Sequence, residues 1–207
     1  MMVDTFTLPV WWDLTATFLY ALIGTRYAIM RGYDVVGVLM ISLVVGVGGG
    51  LLRDILLQDG PPVALRDPMY AAMTWGAAVV GLVLYKKIPR LQRMIDVVDA
   101  LSIGLYGVFG AQKSMSLGLG LLGAIFVGVL NAVGGGILRD VIVRNEPEVF
   151  RPGTFYAVAA ILGVTCFVTL SRILSIDADI AAVISIGITV VIRMLALRFG
   201  WKTKTLA

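Results

Sequence analysis

The feature that most constrains this chain is a run of three glycines followed closely by an arginine–aspartate pair, which occurs twice inside apolar sequence. The first copy reads GVGGGLLRD and ends at Asp54, and the second reads AVGGGILRD and ends at Asp140. Neither copy fits a nucleotide-binding loop. Counted from Gly46, the sixth position of the dinucleotide fingerprint is Leu51 instead of glycine, and no Gly-Lys-Ser/Thr follows the glycines. The glycines must therefore serve another purpose within their apolar segments.

The two copies belong to an internal repeat that extends far beyond the glycines. Gly48 corresponds to Gly134, an offset of 86 residues (134 − 48), and this register continues without a gap. It pairs Asp13 with Asp99, Tyr20 with Tyr106, Gly24 with Gly110, Gly37 with Gly123, Arg53 with Arg139, Asp54 with Asp140, Pro61 with Pro147, and Tyr70 with Tyr156. So many identities in one register indicate a duplication.

The composition places this repeat in a membrane. Of 207 residues, 59% are hydrophobic and only 14% are charged, and the mean hydropathy is +0.94. A water-soluble fold of this size cannot bury so much apolar surface, whereas an apolar run of about 20 residues spans a bilayer as a helix. The sequence therefore predicts an all-α integral membrane protein, with residues 1–207 forming one transmembrane domain.

Seven apolar segments predict seven transmembrane helices. They run approximately over Leu14–Met30, Val35–Leu57, Met69–Tyr85, Val97–Gln112, Leu117–Val143, Thr154–Leu170 and Ile180–Leu197. Repeat one covers about residues 13–87, repeat two about 97–173, and the seventh helix about 178–198. Each repeat holds three crossings, so the second copy enters the membrane from the opposite face. Inverted three-plus-three repeats of this kind are typical of transport proteins, whose sites lie near the membrane midplane at interrupted helices.

Basic residues are biased to one side of these crossings, which predicts the orientation. That side holds the cluster KKIPRLQR, with Lys86, Lys87, Arg90 and Arg93, together with Arg31, Arg144, Arg151, Arg198, Lys202 and Lys204. The other side holds fewer basic residues and more acidic ones: Asp4, Asp13, Arg66, Asp67, Lys113, Arg172, Asp177 and Asp179. The positive-inside rule then places the N-terminus outside and the C-terminus in the cytoplasm. Binding of anionic lipid headgroups is a second role that the basic cluster could have.

The glycine triplets have two interpretations. Each glycine costs a helix about 0.8–1 kcal/mol relative to alanine, so each triplet forgoes roughly 2–3 kcal/mol. Small residues permit close helix packing, which is the simpler interpretation. Alternatively, Gly48, Gly49, Gly50 and their equivalents Gly134, Gly135 and Gly136 break or kink their helices and face a water-filled passage, since lipid cannot satisfy bare peptide groups. Duplication of the triplets beside charges favours a pore constriction that also serves packing.

The charged pairs lie several residues inside their apolar segments. Ionisable side chains at a membrane helix centre cost about +2.5 to +3.5 kcal/mol and usually face an interior path. Sequence neighbours on a helix point about 100° apart, so Arg53, Asp54, Arg139 and Asp140 are each expected to find partners elsewhere in the bundle. Two functions fit: a symmetric conduit with one Arg-Asp pair on each side of the glycines, or structural salt bridges that tether the helices.

A few other polar residues are candidates for the wall of a passage. Ser42 and Asn131 precede the two triplets, and a helix–helix hydrogen bond is the alternative for each. Lys113 lies near a segment end, where it fits either a vestibule or a side chain that snorkels to the interface. Asp13 and Asp99 are expected at the starts of equivalent helices, where carboxylates complement the helix dipole; a cation-attracting mouth is the alternative.

Several function classes lose support from residues that the chain lacks. It contains no histidine and one cysteine, Cys166, which removes the commonest zinc ligand and the usual general base. No serine–base or metal-binding motif is present either. We therefore expect no catalytic residue, no metal site, no cofactor and no nucleic-acid partner.

These features resemble the trimeric intracellular cation channels, specifically their prokaryotic branch. The resemblance rests on the seven segments, the inverted repeat and the paired GGGLLRD and GGGILRD motifs, and it covers about Asp13 to Leu197. It implies a homotrimer with an hourglass pore in each protomer, lined chiefly by the first, second, fourth and fifth transmembrane helices, kinked at the glycine triplets and permeable to monovalent cations, mainly potassium. Animal members bind an inositol phospholipid through a basic residue that has no assigned equivalent in this chain.

The leading functional hypothesis is thus a potassium-permeable channel in the plasma membrane of a prokaryote, where it contacts membrane lipids. The alternative is a secondary transporter of a small zwitterion such as glycine, since related bacterial sequences carry that label. An arginine and an aspartate near broken helices suit a carboxylate and an ammonium group.

Overall fold

The computed structural model describes residues 9–85, 92–152 and 155–203, which are almost entirely helical. The helices are α1 (Val10–Met30), α2 (Val35–Leu57), α3 (Val63–Arg66), α4 (Met69–Leu84), α5 (Gln92–Ser116), α6 (Leu121–Ile142), α7 (Tyr156–Val168) and α8 (Ala178–Phe199). A single π-helical turn, Thr169–Ile173, continues α7. The short α3 and the π-helical turn were not predicted; the seven other helices each overlap one predicted segment.

Local sequence signals place several helix ends. The carboxylate of Asp34 accepts a hydrogen bond from the Gly37 amide at 2.7 Å and caps α2. The carboxylate of Asp177 caps α8 in the same way, through the amides of Asp179 and Ile180. At the other end of α8, Gly200 has a positive φ of 65°, which glycine adopts without steric cost.

Length and hydropathy identify five of the described helical segments as able to cross a membrane. These are Val35–Leu57, Gln92–Ser116, Leu121–Ile142, Tyr156–Ile173 and Ala178–Phe199, and Met69–Leu84 is a shorter apolar helix. A membrane span for α1 stays a prediction. Its segment carries Asp13 and Arg26, which lower its hydropathy.

Helix packing follows the repeat. In the first half α1 packs on α2 and α4, and in the second half α5 packs on α6 and α7. The two halves meet through α2 against α6 and α1 against α5. The last helix, α8, lies outside the repeat and packs on α5 and α7. The centre of the bundle is therefore formed by α1, α2, α5 and α6, with α4 and α7 at equivalent positions outside them.

The two glycine triplets form the crossing of α2 and α6. A Cβ added at Gly48 would lie 2.7 Å from Leu138 Cδ1, and one at Gly134 would lie 2.8 Å from Leu52 Cδ1. The 86-residue offset relates Gly48 to Gly134 and Leu52 to Leu138, so each contact is the equivalent of the other. Along the crossing, residue numbers rise in α2 while they fall in α6. The helices therefore cross antiparallel, and each contributes equivalent residues to the contact.

This crossing corrects the expectation that the triplets interrupt their helices. Both α2 and α6 run unbroken through the glycines, and all six glycines are buried. The physical reason is packing: without side chains, the two backbones approach until a Cβ on Gly135 would lie only 2.7 Å from the carbonyl oxygen of Val45. A kink at the triplets and water at this level stay predictions.

Part of the orientation argument lies outside the described residues, namely Asp4, Lys86, Lys87, Arg90 and Lys204. The placement of the N-terminus outside therefore stays a prediction.

Candidate functional site

Two tyrosines beside the glycine crossing fasten the halves of the bundle together. The hydroxyl of Tyr20 in α1 donates to the carbonyl oxygen of Ala132 in α6. The hydroxyl of Tyr106 in α5 donates to the carbonyl oxygen of Gly46 in α2. Both donors and both acceptors are related by the 86-residue offset, and the two rings lie 5.1 Å apart between centroids. Each repeat thus supplies a tyrosine that binds the glycine-bearing helix of the other.

The first charged cluster, formed by Asp13, Arg53, Asp54, Tyr70 and Lys113, lies towards the end of the bundle where α1 begins. Arg53 Nε donates to Asp54 Oδ1 at 2.7 Å, and Arg53 Nη1 lies 3.4 Å from Asp13 Oδ1. The phenol of Tyr70 donates to Asp13 Oδ2 at 2.6 Å. Lys113 Nζ donates to Asp54 Oδ1 at 2.8 Å. Both Arg53 and Asp13 are 1% exposed, so their charges balance each other away from solvent.

Nearby groups complete the surroundings of this cluster. The amide of Val63, at the start of α3, donates to Asp54 Oδ2 at 2.9 Å. The guanidinium of Arg53 also lies over the Phe109 ring, 5.1 Å from its centroid. Buried ion pairs are tolerated when further hydrogen bonds satisfy the remaining polar atoms, and here α3 and α5 supply them.

The second charged cluster, formed by Asp99, Arg139, Asp140, Glu148 and Arg193, lies towards the opposite end of the bundle. Arg139 Nε donates to Asp140 Oδ1 at 2.7 Å, which repeats the geometry of the first pair. The amide of Glu148 donates to Asp140 Oδ2 at 3.0 Å, as Val63 does to Asp54. The guanidinium of Arg139 stacks on the ring of Tyr27 in α1, 4.1 Å from its centroid. Both clusters therefore use a side chain from the first helix of the other repeat.

The symmetry ends at Asp99, the equivalent of Asp13. Asp99 Oδ2 pairs with Arg193 Nη2 of α8 at 3.3 Å instead of binding the arginine of its own repeat. The same Nη2 donates to Glu148 Oε1 at 2.9 Å, and the guanidinium lies 4.9 Å from the centroid of the Tyr156 ring. Arg193 thus attaches α8 to the second repeat by charge.

A cavity of about 310 Å³ opens beside the second cluster. Its lining residues are Tyr27, Arg139, Asp140, Asn145, Glu146, Glu148, Arg151 and Pro152. Three carboxylates and two guanidinium groups leave the lining with a net negative charge. At about 30 Å³ per water molecule, the cavity has room for a hydrated cation.

The structure brings the predicted pairs Arg53–Asp54 and Arg139–Asp140 to equivalent positions, and it corrects how they bond. We expected each member to find its partners elsewhere in the bundle, because neighbours on a helix point apart. Instead each arginine folds back so that Nε reaches the adjacent carboxylate at 2.7 Å. Contacts to other helices are added to this bond.

The other predicted residues have separate surroundings. Ser42 donates to the carbonyl oxygen of Thr74 at 2.7 Å, which is a helix–helix hydrogen bond. Asn131 donates to the carbonyl oxygen of Tyr106 at 2.6 Å, while its Oδ1 is buried without a hydrogen-bond partner among the described residues. Lys113 binds Asp54. Asp13 lies in the first turn of α1, as expected, but Asp99 does not begin a helix, because α5 starts seven residues earlier at Gln92.

Sequence reasoning missed Arg193, Tyr27 and Glu148. An available signal for Arg193 was its position deep in an apolar segment, where an ionisable residue is costly. Tyr27 and Glu148 carried no such signal, since their roles depend on Arg139 reaching α1 and on the loop after α6 folding back over Asp140.

Solved structures of similar shape define the class. A TRIC cation channel superimposes with a TM-score of 0.86 at 26% identity, covering 95% of this chain and 96% of that one. A trimeric intracellular cation channel orthologue from Rhodobacter sphaeroides gives 0.86 at 28% identity, over 93% and 98% of the two chains. The protein is therefore an all-helical membrane protein with the TRIC channel fold, and the resemblance to the prokaryotic branch is confirmed.

The family follows from the sequence comparisons. A family model described as "Glycine transporter" matches residues 10–86 and again residues 96–172, with the two matches starting 86 residues apart. The UPF0126 inner membrane protein YadS of Escherichia coli is 32% identical over 95% of each chain. A UPF0126 membrane protein of Deinococcus radiodurans is 36% identical over 74% of this chain and 72% of its own length. This chain belongs to the family that the model describes, which it shares with the UPF0126 proteins by sequence similarity. It is a multi-pass protein of the inner, or plasma, membrane.

Proposed function

We propose that this protein is a potassium-permeable monovalent cation channel with one hourglass pore per protomer. The observation that carries the proposal is the antiparallel crossing of α2 and α6 at the glycine triplets, with equivalent Arg-Asp pairs on either side of it. A passage between α1, α2, α5 and α6 would meet one charged cluster, then the narrow crossing, then the other cluster. Similarity to TRIC cation channels supports this function.

Cation preference follows from the cavity at the second cluster. Its three carboxylates outnumber its two guanidinium groups, and a net negative lining raises the local concentration of cations. The crossing itself is closed in the described conformation, because the six glycines are buried. Conduction therefore requires α2 and α6 to separate or bend at the triplets, where the Leu52 and Leu138 side chains now pack against the glycines of the opposite helix.

The proposal includes inverted repeats, a homotrimer and an external N-terminus. Reciprocal contacts at the crossing and between each tyrosine and the opposite repeat support the inversion. The Rhodobacter sphaeroides relative is described as trimeric. The chain also has exposed apolar residues on membrane helices, such as Met40, Phe126 and Val183, which lipid or neighbouring protomers would cover. Native mass spectrometry in detergent tests the trimer; a monomer as the largest species would refute it.

Bilayer recording tests the channel function. Purified protein in a planar bilayer with a potassium chloride gradient should give unitary currents that reverse close to the potassium equilibrium potential. A reversal potential that follows chloride would contradict cation selectivity. Replacing potassium with sodium on one side then measures the preference between the two cations.

The second candidate is a transporter of a small zwitterion such as glycine, as the description of the family model suggests. One observation favours it: Arg139 Nη2 is buried without a hydrogen-bond partner among the described residues, and Arg139 lines a cavity that also holds Asp140 and Glu148. The ion pair of this nitrogen with Glu148 Oε2 is long, at 4.0 Å, so the guanidinium can bind a carboxylate, and the acidic residues suit an ammonium group. Glycine-dependent exchange across liposomes with no unitary current would support the transporter and reject the channel.

A further inference from the structure

The two Arg-Asp pairs differ in one contact. Asp54 accepts three hydrogen bonds, from Arg53 Nε, the Val63 amide and Lys113 Nζ. Within the described ranges 9–85, 92–152 and 155–203, Asp140 accepts only the equivalent of the first two, from Arg139 Nε and the Glu148 amide. The third position beside Asp54 is therefore taken by an ammonium group.

The repeat shows what stands at that position in the other half. The 86-residue offset pairs Lys113 with Tyr27. Tyr27 carries no positive charge; its ring stacks on Arg139, and both residues line the 310 Å³ cavity that reaches Asp140. Asp140 thus faces a space that can take a free cation, while Lys113 occupies the corresponding place at Asp54.

The lysine side chain carries its ammonium group, a monovalent cation, at the end of a flexible four-carbon chain. Lys113 Nζ lies 2.8 Å from Asp54 Oδ1, and the Lys113 side chain is 18% exposed while that of Asp54 is 4% exposed. A potassium ion that approached Asp54 from this end would have to displace the lysine. Among residues 9–85, 92–152 and 155–203, no ammonium group is hydrogen-bonded to Asp140 in the equivalent position.

We infer that Lys113 is a tethered cation that competes with permeant cations for Asp54 and impedes their entry from that end of the pore. This inference rests on the channel function proposed above. Lys113 lies on one side of the glycine crossing. The current carried by cations that enter the pore from the Asp54 end should therefore be smaller than the current carried by cations that enter from the opposite end. A purely structural salt bridge would stabilise the fold without making the current unequal.

Single-channel recording in symmetrical potassium chloride tests the inference through the ratio of unitary currents at opposite voltages. Three variants are compared with the wild type. Lys113→Gln keeps a hydrogen-bond donor for Asp54 but removes the charge, and Lys113→Arg keeps the charge. Lys202→Met removes one positive charge from an exposed site outside the helices and is the matched control.

We expect unequal currents in the wild type and in the Lys113→Arg and Lys202→Met variants, and nearly equal currents in Lys113→Gln. The smaller current should rise by roughly tenfold, because the neutral amide keeps a hydrogen-bond donor but loses the attraction between two opposite charges. Size-exclusion chromatography of each variant checks assembly. If Lys113→Gln does not assemble, Lys113→Met replaces it.

The results separate this inference from the proposed function. Equal current ratios in wild type and Lys113→Gln, with conduction intact, would overturn the role of Lys113 and leave the channel standing. Potassium flux into liposomes that appears only in Lys113→Gln would support both. Absence of unitary current and of flux in every form would overturn both.

Discussion

The close crossing of α2 and α6 predicts that neighbouring glycines of one triplet respond in opposite ways to the same substitution. At Gly49, a Cβ would overlap the carbonyl oxygen of Asn131, a backbone atom that cannot rotate away. At Gly50, the nearest atom to a Cβ is Arg53 Nη2 at 3.6 Å, an ordinary contact distance. Gly49→Ala and Gly50→Ala therefore change the same atoms in the same helix but meet different surroundings.

The expected magnitude follows from two terms. Alanine stabilises a helix interior by up to about 1 kcal/mol relative to glycine, and this gain is common to both variants. Overpacking a close contact costs about 1–3 kcal/mol, and only Gly49→Ala incurs this cost. The difference in free energy of unfolding between the two variants isolates the clash, so Gly49→Ala should be less stable than Gly50→Ala by about 1–3 kcal/mol.

Reversible unfolding of the purified protein in mixed detergent micelles, followed by circular dichroism during an SDS titration, measures this difference. Gly135→Ala provides an independent check in the other repeat, since its Cβ would lie 2.7 Å from the Val45 carbonyl oxygen. Equal stability of Gly49→Ala and Gly50→Ala would refute the close crossing. It would instead support a wide, water-filled space around the triplet, in which any of the three glycines accepts a methyl group.

Two further predictions use the same unfolding assay. Tyr20→Phe and Tyr106→Phe each remove one hydroxyl donor to a carbonyl oxygen of the opposite repeat while keeping the ring, so each should lose about 1 kcal/mol; a loss in only one of them would contradict the reciprocal arrangement. Arg193→Gln leaves Asp99 without its ion partner and should cost about 3 kcal/mol or more. Arg198→Gln, at an exposed position of the same helix, should stay within about 0.5 kcal/mol of wild type, and equal effects at the two arginines would refute the tethering of α8.

Much of this arrangement was predictable because it depends on patterns within the chain. The 86-residue offset predicted which residues are equivalent, and the structure gives Tyr20 and Tyr106 equivalent hydrogen bonds. The depth of the Arg-Asp pairs in apolar sequence predicted that they are buried and bonded inside the protein, and Arg53 and Arg139 are almost fully buried.

Other features depend on distances between segments, which periodicity does not specify. The bond from Arg53 to its neighbour Asp54 depends on how a long side chain folds back. The divergence of Asp99 from Asp13 depends on α8, which has no counterpart in the repeat and brings Arg193 to the second cluster. The unbroken helices at the triplets reflect packing between α2 and α6, which offsets the low helix propensity of glycine.

The exchanged tyrosine hydrogen bonds bear on how such a chain can arise and be synthesised. A polypeptide that stopped after residue 86 would carry the Tyr20 hydroxyl without Ala132 and the Gly46 carbonyl without Tyr106. With the inverted repeats proposed above, a second copy inserted upside down would supply both partners to such a fragment. Under that proposal, a single ancestral unit would have entered the bilayer in both directions, and fusion of two copies would have placed both orientations in one polypeptide.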